Sequence, residues 1–134
     1  MSIKEKTFII KKEINLSEVA KYVLNNLTLS KFVLLKGELG AGKTALTKAI
    51  ATELDIKENV TSPTFNYLKI YNNLIHIDAY NLRDNLDEFS DYFENKIVVV
   101  EWAENIYIDY DNFVDIEIEV LEDNSRKYKV KVIK

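Results

Sequence analysis

The residues from 37 to 44 are those whose types and spacing could do chemistry most directly. Their sequence, Gly-Glu-Leu-Gly-Ala-Gly-Lys-Thr, matches the phosphate-binding pattern G-x-x-x-x-G-K-S/T at every defined position. In such a loop, successive main-chain N–H groups point inward and surround phosphate groups. The pattern also predicts that Lys43 reaches the β- and γ-phosphates of a nucleotide, and that the Thr44 hydroxyl binds Mg²⁺.

The segments on either side of the loop support this interpretation over an ordinary glycine turn. Residues 31–36 form a short apolar run typical of a buried strand, and residues 41–54 carry apolar side chains at helical spacing without proline. A helix directly after the loop adds the positive end of its dipole to the phosphate site. All three glycines of the chain lie in this loop. We expect the nucleotide to contact Glu38, Leu39, Gly40, Ala41, Gly42, Lys43, Thr44 and Ala45.

Length and composition place limits on the remaining possibilities. A chain of 134 residues with 47% hydrophobic and 30% charged residues predicts a single globular domain over residues 1–134. The absence of cysteine excludes disulfides and thiolate metal sites. The first residues lack the apolar segment of a secretory signal, and no run approaches the roughly 20 apolar residues of a membrane span. We therefore expect a soluble, cytoplasmic protein.

The distribution of charge argues against a free-standing DNA- or RNA-binding protein. The net charge is −4, and only Arg83 and Arg126 among the 18 basic residues are arginines, whereas nucleic-acid binders usually present a basic face. Residues 97–125 include nine acidic residues and no lysine or arginine. This stretch predicts either a solvated acidic face or a docking surface for a basic partner.

A stiff, hydroxyl-rich loop follows the phosphate-binding segment. Residues 60–65, Val-Thr-Ser-Pro-Thr-Phe, contain the only proline, which favours an extended conformation before it. Thr61 and Thr64 could contact a γ-phosphate or its metal, as nucleotide-switch segments do. The alternative is a Ser/Thr turn leading into a strand.

Two carboxylates follow apolar strands and are the candidate catalytic acids. Asp78 ends the segment 74–78, and Glu101 ends the continuously β-branched run 97–100, which is typical of a central parallel strand. Ligands of open α/β sheets bind at the carboxyl ends of strands. We expect one acid to bind Mg²⁺ and the other to orient the attacking water. Spacing alone does not decide between them, and we favour Glu101 for the metal and Asp78 for the water.

Two single-copy residues lie beside these acids. Trp102, the only tryptophan, is predicted to be either a core residue or an aromatic platform for the nucleobase. His76, the only histidine, shares a strand face with Asp78 and either orients that carboxylate or fills the sheet.

The remaining segments predict elements that support this site. We expect an opening strand over 4–12, a helix starting with a capping box at Asn15 and Glu18, and a short helix over 87–94. Strands over 65–71 and 74–78 are predicted to meet at an Asn72–Asn73 turn, since asparagine tolerates positive φ. Alternating residues over 113–121 and 127–133 predict a closing hairpin.

Taken in order, four motifs closely resemble those of the TsaE (YjeE) family, the bacterial ATPases of tRNA threonylcarbamoyladenosine synthesis. They are the phosphate loop, Thr-Ser-Pro-Thr-Phe at 61–65, His-x-Asp-x-Tyr at 76–80 and Glu-Trp-Ala-Glu at 101–104. The resemblance implies an α/β fold of the P-loop NTPase type, three-layered, with a mixed, mainly parallel central sheet. It also implies binding of ATP and Mg²⁺, action with TsaB and TsaD proteins, and only indirect contact with tRNA.

The resemblance also implies roles for individual residues. Lys43 and Thr44 would serve the phosphates and Mg²⁺, Thr61 to Thr64 would form a switch loop, and Asp78 and Glu101 would be the functional acids. Trp102 would lie against adenine. Family members usually carry arginine directly after the tyrosine of the third motif, where this chain has Asn81, so the role of that arginine is open here.

Three other functions compete with an ATPase. A small phosphotransferase usually needs an arginine-bearing lid, and this chain offers only Arg83 and Arg126. A GTPase needs a D-x-x-G turn, which is excluded because no glycine follows Gly42. A nucleotide-gated binding module with negligible hydrolysis stays open, since a site without an arginine of its own hydrolyses slowly.

Overall fold

The structure, a computed structural model, describes residues 2–61, 63 and 67–134. Seven strands and two α-helices form its frame: β1 Ile3–Ile10, α1 Leu16–Asn25, β2 Phe32–Gly37, α2 Lys43–Glu53, β3 Leu68–Tyr71, β4 Leu74–Asp78, β5 Ile97–Glu101, β6 Phe113–Val120 and β7 Arg126–Ile133. Three 3₁₀ helices cover Glu13–Asn15, Asp87–Tyr92 and Ala103–Asn105.

The strands form one sheet in the order β1-β7-β6-β2-β5-β4-β3. The four inner strands β6, β2, β5 and β4 run parallel to one another. The remaining pairings, β1 with β7, β7 with β6 and β3 with β4, are antiparallel. The predicted mixed sheet with a parallel centre and a closing hairpin is therefore confirmed.

Strand β2 lies at the centre because its side chains are apolar on both faces. Val33 and Leu35 pack into the core beneath α1 and α2, whereas Phe32 and Leu34 pack into the core on the opposite face. This division follows from the alternation of side chains along a strand. Strand β5 is buried at all five positions, as its β-branched sequence predicts.

The layer on each side of the sheet has a different construction. Helices α1 and α2 pack against each other over one face, where Val19, Leu46 and Ile50 are fully buried. The 3₁₀ helix Asp87–Tyr92 and aromatic side chains cover the other face, with Phe93 packing edge-on against Phe32. No helix in the described part of the chain is long and apolar enough to cross a membrane.

One predicted turn and two predicted helix features can be compared directly with the structure. The Asn72–Asn73 turn is confirmed, with Asn73 at φ 65°. The capping box is wrong, because the Asn15 side chain makes no capping hydrogen bond; the 3₁₀ helix Glu13–Asn15 leads directly into α1 instead. The helix expected over 87–94 is a 3₁₀ helix that ends at Tyr92.

The acidic stretch does not form one surface. Strand register places Asp115, Glu117 and Glu119 of β6 beside three lysines of β7. Asp115 also pairs with Lys36 at 2.8 Å, while Glu101 is buried in the sheet. Residues 113–120 therefore contribute to a sheet face of mixed charge, which fits the solvated-face interpretation better than an acidic docking surface.

Candidate nucleotide-binding site

The loop between β2 and α2 is closed by contacts that only glycine permits. Gly42 adopts φ 121°, and a Cβ built on it would collide with the Tyr128 hydroxyl. That hydroxyl donates a hydrogen bond of 3.3 Å to the Gly42 carbonyl, and burial raises the pKa of Tyr128 to about 12. Because α2 begins at Lys43, the N–H groups of its first turn point towards the interior of the loop.

Gly42→Ala is expected to lower both stability and nucleotide affinity. A left-handed backbone costs an alanine roughly 1–3 kcal/mol, and the collision with Tyr128 adds to that cost. Gly40→Ala is the matched control, because Gly40 has φ 79° but no atom within 4 Å of a Cβ added there. Thermal unfolding of both variants tests this. Equal melting temperatures would show that the Tyr128 contact does not restrict the loop.

Lys43 lies at the inner end of the loop. Its ammonium donates to the carbonyl oxygens of Gly37 and, at 2.9 Å, of Glu38. It also lies 3.9 Å from the ring centroid of Trp102, a cation–π contact. Burial lowers the pKa of Lys43 below its usual value, and neighbouring carboxylates, chiefly that of Glu104, oppose the shift. This buried cation is available to phosphate oxygens.

The two candidate acids are adjacent at the ends of β4 and β5, where Asp78 pairs with Glu101 in register. The Thr44 hydroxyl donates to Oε1 of Glu101 at 2.9 Å. Two neighbouring ligands of octahedral Mg²⁺, with bonds of about 2.0–2.1 Å, are about 2.9 Å apart. The donor pair of Thr44 and Glu101 therefore fits Mg²⁺.

Protein side chains alone do not form a complete metal site here. The described residues contain no group of three or more His, Cys, Asp or Glu that could hold a metal. Mg²⁺ commonly binds through one or two protein oxygens together with water and phosphate. The pair formed by Thr44 and Glu101 matches that mode of binding.

Neither interpretation of His76, as a residue that orients Asp78 or as one that fills the sheet, describes the contact that it makes. Its Nε2 contacts Oε2 of Glu101 rather than Asp78. The alternative, that it only fills the sheet, describes its full burial but not this contact. Thr47 was not predicted as a site residue, yet its hydroxyl donates to the Lys43 carbonyl at 3.0 Å and lies 3.4 Å from Glu101 Oε2. Its position one turn after Lys43 was the only signal available in the sequence.

An open cleft of about 430 Å³ lies over these residues. Trp102 and Tyr80 form part of its wall and pack edge to face, with ring centroids 4.9 Å apart. Trp102 has a left-handed backbone, φ 59° and ψ 39°, which turns the chain away from β5 directly after Glu101. The cleft is lined by Leu39, Gly40, Gly42, Lys43, Thr44, Ala45, Asp78, Tyr80, Glu101 and Trp102.

A second cleft of about 330 Å³ lies on the other side of the loop. It is lined by Gly40, Gly42 and Ala45, together with residues from the end of β1 and from the β6–β7 hairpin. Arg126 reaches into this region and donates to the Gly40 carbonyl at 3.3 Å. No motif in the sequence connects these residues to the loop, so they were not predicted. They include Lys11, Lys12, Asn124, Arg126 and Tyr128.

Of the described residues, Thr61 and Arg83 line neither of the two clefts. Thr61 is exposed, and Thr64 lies outside the described residues. Arg83, the arginine nearest to Asn81, donates to the neighbouring Leu82 carbonyl at 2.8 Å. The described part of the site therefore consists of the loop, the two strand-end acids, Trp102 and the buried residues behind Glu101.

The site combines a central strand, a glycine loop and a helix, and its buried lysine faces two acids at strand ends. This combination defines a P-loop nucleotide-binding protein. A family model described as "Threonylcarbamoyl adenosine biosynthesis protein TsaE" matches residues 10–129. The chain belongs to the TsaE family, as the motifs had indicated.

Individual relatives agree with this assignment. The tRNA threonylcarbamoyladenosine biosynthesis protein TsaE of Aquifex aeolicus is 35% identical over 131 residues, which cover 93% of this chain and 95% of the relative. The TsaE of Bacillus subtilis is 42% identical over 76 residues, or 52% and 48% of the two chains. The crystal structure of Bacillus subtilis YdiB superposes with a TM-score of 0.74 at 25% identity, covering all of this chain and 89% of the other.

Proposed function

We propose that this protein is a Mg²⁺-dependent ATPase, formed by one domain over residues 1–134, that acts in tRNA threonylcarbamoyladenosine synthesis. The observation that carries the proposal is the juxtaposition of Lys43, Thr44, Asp78 and Glu101 around one cleft at the carboxyl ends of parallel strands. Family membership supports the pathway. The same membership supports action with TsaB and TsaD proteins in the cytoplasm, with tRNA reached only through that complex and no role in DNA or membrane binding.

The two clefts suggest how ATP would lie across the loop. Lys43 serves the β- and γ-phosphates in loops of this type, so the cleft beside Lys43 and Glu101, here called the γ-side cleft, would hold the γ-phosphate end of ATP. The nucleoside would then extend past Gly42 into the second cleft, near Arg126 and Tyr128. The expectation that Trp102 forms a platform for adenine fits this direction poorly, because Trp102 lies over the Lys43 ammonium. We propose instead that Trp102 covers the γ-phosphate end.

The residues at the γ end divide the chemistry between them. Lys43 would balance negative charge on the transferred phosphoryl group. Thr44 and Glu101 would hold Mg²⁺, which supplies further charge neutralisation when bound. Asp78 Oδ1 accepts the Tyr80 N–H at 3.0 Å, which fixes its carboxylate beside the cleft. We propose that Asp78 orients the attacking water and accepts its proton.

Asp78→Asn is expected to lower ATP hydrolysis by about 10²- to 10⁴-fold, the usual contribution of a general base, while ATP affinity changes less than about threefold. Asparagine keeps an Oδ1 that can accept the Tyr80 N–H, so the local turn is retained. Phosphate release, measured with TsaB and TsaD present, and calorimetric ATP binding separate the two effects. Unchanged hydrolysis would remove Asp78 from the mechanism.

The same experiment distinguishes the competing functions. A nucleotide-gated module is supported by the lack of arginine among the residues lining the γ-side cleft. It would bind Mg-ATP yet release no phosphate above the rate of Asp78→Asn, even with its partners. A phosphotransferase would transfer the phosphoryl group to an added acceptor rather than to water.

A further inference from the structure

His76 is buried behind the γ-side cleft without lining it. It lies in β4 opposite Val99 of β5, two residues before the pair Asp78 and Glu101. Residues two apart on a strand share a face, so His76 and Glu101 are diagonal neighbours across β4 and β5. The strand register therefore brings the imidazole to Glu101 rather than to Asp78.

The Glu101 carboxylate is held from two sides. The residue Glu101 is only 3% exposed. Its Oε1 accepts the Thr44 hydroxyl at 2.9 Å, while Oε2 contacts His76 Nε2 and lies 3.4 Å from the Thr47 hydroxyl. The terminal torsion of a glutamate is intrinsically broad. Contacts on both oxygens restrict that rotation and keep Oε1 directed towards Thr44.

We propose that His76 is a positioning residue for the metal: its Nε2–H donates to Oε2 of Glu101 and so presents Oε1, beside Thr44, to Mg²⁺. An ionised carboxylate only accepts hydrogen bonds, so the hydrogen must lie on Nε2. The inference rests on the proposed function, because it assumes that Glu101 and Thr44 bind a nucleotide-associated metal. Hydrogen-bond partners of metal-binding carboxylates commonly tune metal affinity in this way.

The other ring nitrogen shows that packing alone does not account for a histidine here. Nδ1 of His76 is buried and has no hydrogen-bond partner among the described residues. A buried polar atom without a partner costs roughly 1–3 kcal/mol, whereas an aliphatic side chain would fill the same space without that cost. The contact from Nε2 to Glu101 gives the imidazole a chemical role.

Only one of the two ring nitrogens of His76 contacts Glu101, and each nitrogen can be replaced by the amide of a different side chain. This allows a matched pair of variants. His76→Gln can place an amide N–H where Nε2 lies, while His76→Asn can reach only the position of Nδ1. ATP affinity is measured for the wild type and both variants in excess Mg²⁺ and in EDTA. The ratio of the two affinities reports the metal's contribution at the site. We expect this ratio to fall by about 10- to 100-fold in His76→Asn and to stay within about threefold of wild type in His76→Gln, with affinity in EDTA unchanged.

The outcomes separate this inference from the proposed function. If the wild type binds no ATP in either condition, or binds it without any Mg²⁺ effect, the proposed metal-dependent ATPase fails. If the wild type shows the Mg²⁺ effect but His76→Asn retains it, the positioning role of His76 is overturned. An equal loss of affinity in EDTA and Mg²⁺ would also overturn it, because the effect would then not concern the metal.

A spectroscopic test on the wild-type protein covers the case in which the variants fail to fold. The chain has a single histidine, so ¹⁵N-histidine NMR signals need no assignment by mutation. The proposal requires a slowly exchanging proton on Nε2, whose chemical shift changes when Mg-ATP is added. A neutral ring protonated on Nδ1 alone would contradict the hydrogen bond to Glu101 and overturn the inference.

Discussion

ATP hydrolysis is expected to rise by about 10³- to 10⁵-fold when TsaB and TsaD proteins are added, the range associated with an arginine supplied in trans. No arginine is among the residues lining the γ-side cleft. Arg83 donates to the Leu82 carbonyl, and Arg126 donates to Gly40 and Asn124 carbonyls beside the second cleft. Among the described residues, no guanidinium is therefore placed to stabilise the charge of the transition state. A partner can provide one.

Steady-state phosphate release, measured for the isolated protein and for the reconstituted complex, checks this expectation. A complex carrying Lys43→Ala supplies the background from any ATPase activity of the partners. Arg83→Ala, tested in the isolated protein, shows whether an arginine of this chain contributes to hydrolysis. If the isolated wild type already turned over at the rate of the complex, completion of the site by a partner would be wrong.

Lys43→Ala is expected to weaken Mg-ATP binding by roughly 100-fold. Hydrogen bonds to charged groups contribute about 1.5–3 kcal/mol each, and the loss of about 3 kcal/mol corresponds to roughly that factor. Arginine would not be an equivalent replacement, because its planar guanidinium differs in shape and hydrogen-bonding geometry from the compact ammonium. Lys43→Ala should therefore lower nucleotide affinity rather than the stability of the fold.

Two opposing effects decide how Lys43→Ala changes the stability of the fold. Because burial lowers the pKa of Lys43, its charged form costs the folded state stability below that pKa. This cost declines as the pH rises through the lowered value. Lys43→Ala removes this cost, but it also removes the hydrogen bonds to the Gly37 and Glu38 carbonyls and the contact with Trp102, so the melting temperature at neutral pH should change little.

Fluorescence of Trp102, the only tryptophan, provides the measurement, with calorimetry for the variant. Lys48→Ala is the matched control, since Lys48 is exposed on the same helix. We expect the control to bind Mg-ATP as the wild type does. Unchanged affinity in Lys43→Ala would exclude the loop as the phosphate site.

Motifs that lie within one continuous segment were predictable because the local chain carries their whole geometry. The glycines, Lys43 and Thr44 follow one another without interruption, so their spacing determines the turn and the start of the helix. The β-branched run before Glu101 identified a central strand, and alternation identified the closing hairpin. The helix start after Asn15 was predicted correctly, but the capping box was mistaken because a 3₁₀ helix occupies Glu13–Asn15, and the sequence contains no local signal for that 3₁₀ helix.

The partners of these residues were decided by the tertiary structure. Only the register of β4 against β5 directs His76 to Glu101 rather than to Asp78. Only the return of β7 past the loop brings Tyr128 and Arg126 to Gly42 and Gly40. Such contacts join segments up to 86 residues apart and depend on strand order and packing. The sequence by itself thus determined the phosphate-binding loop and the two strand-end acids, whereas tertiary packing decided which side chains orient them.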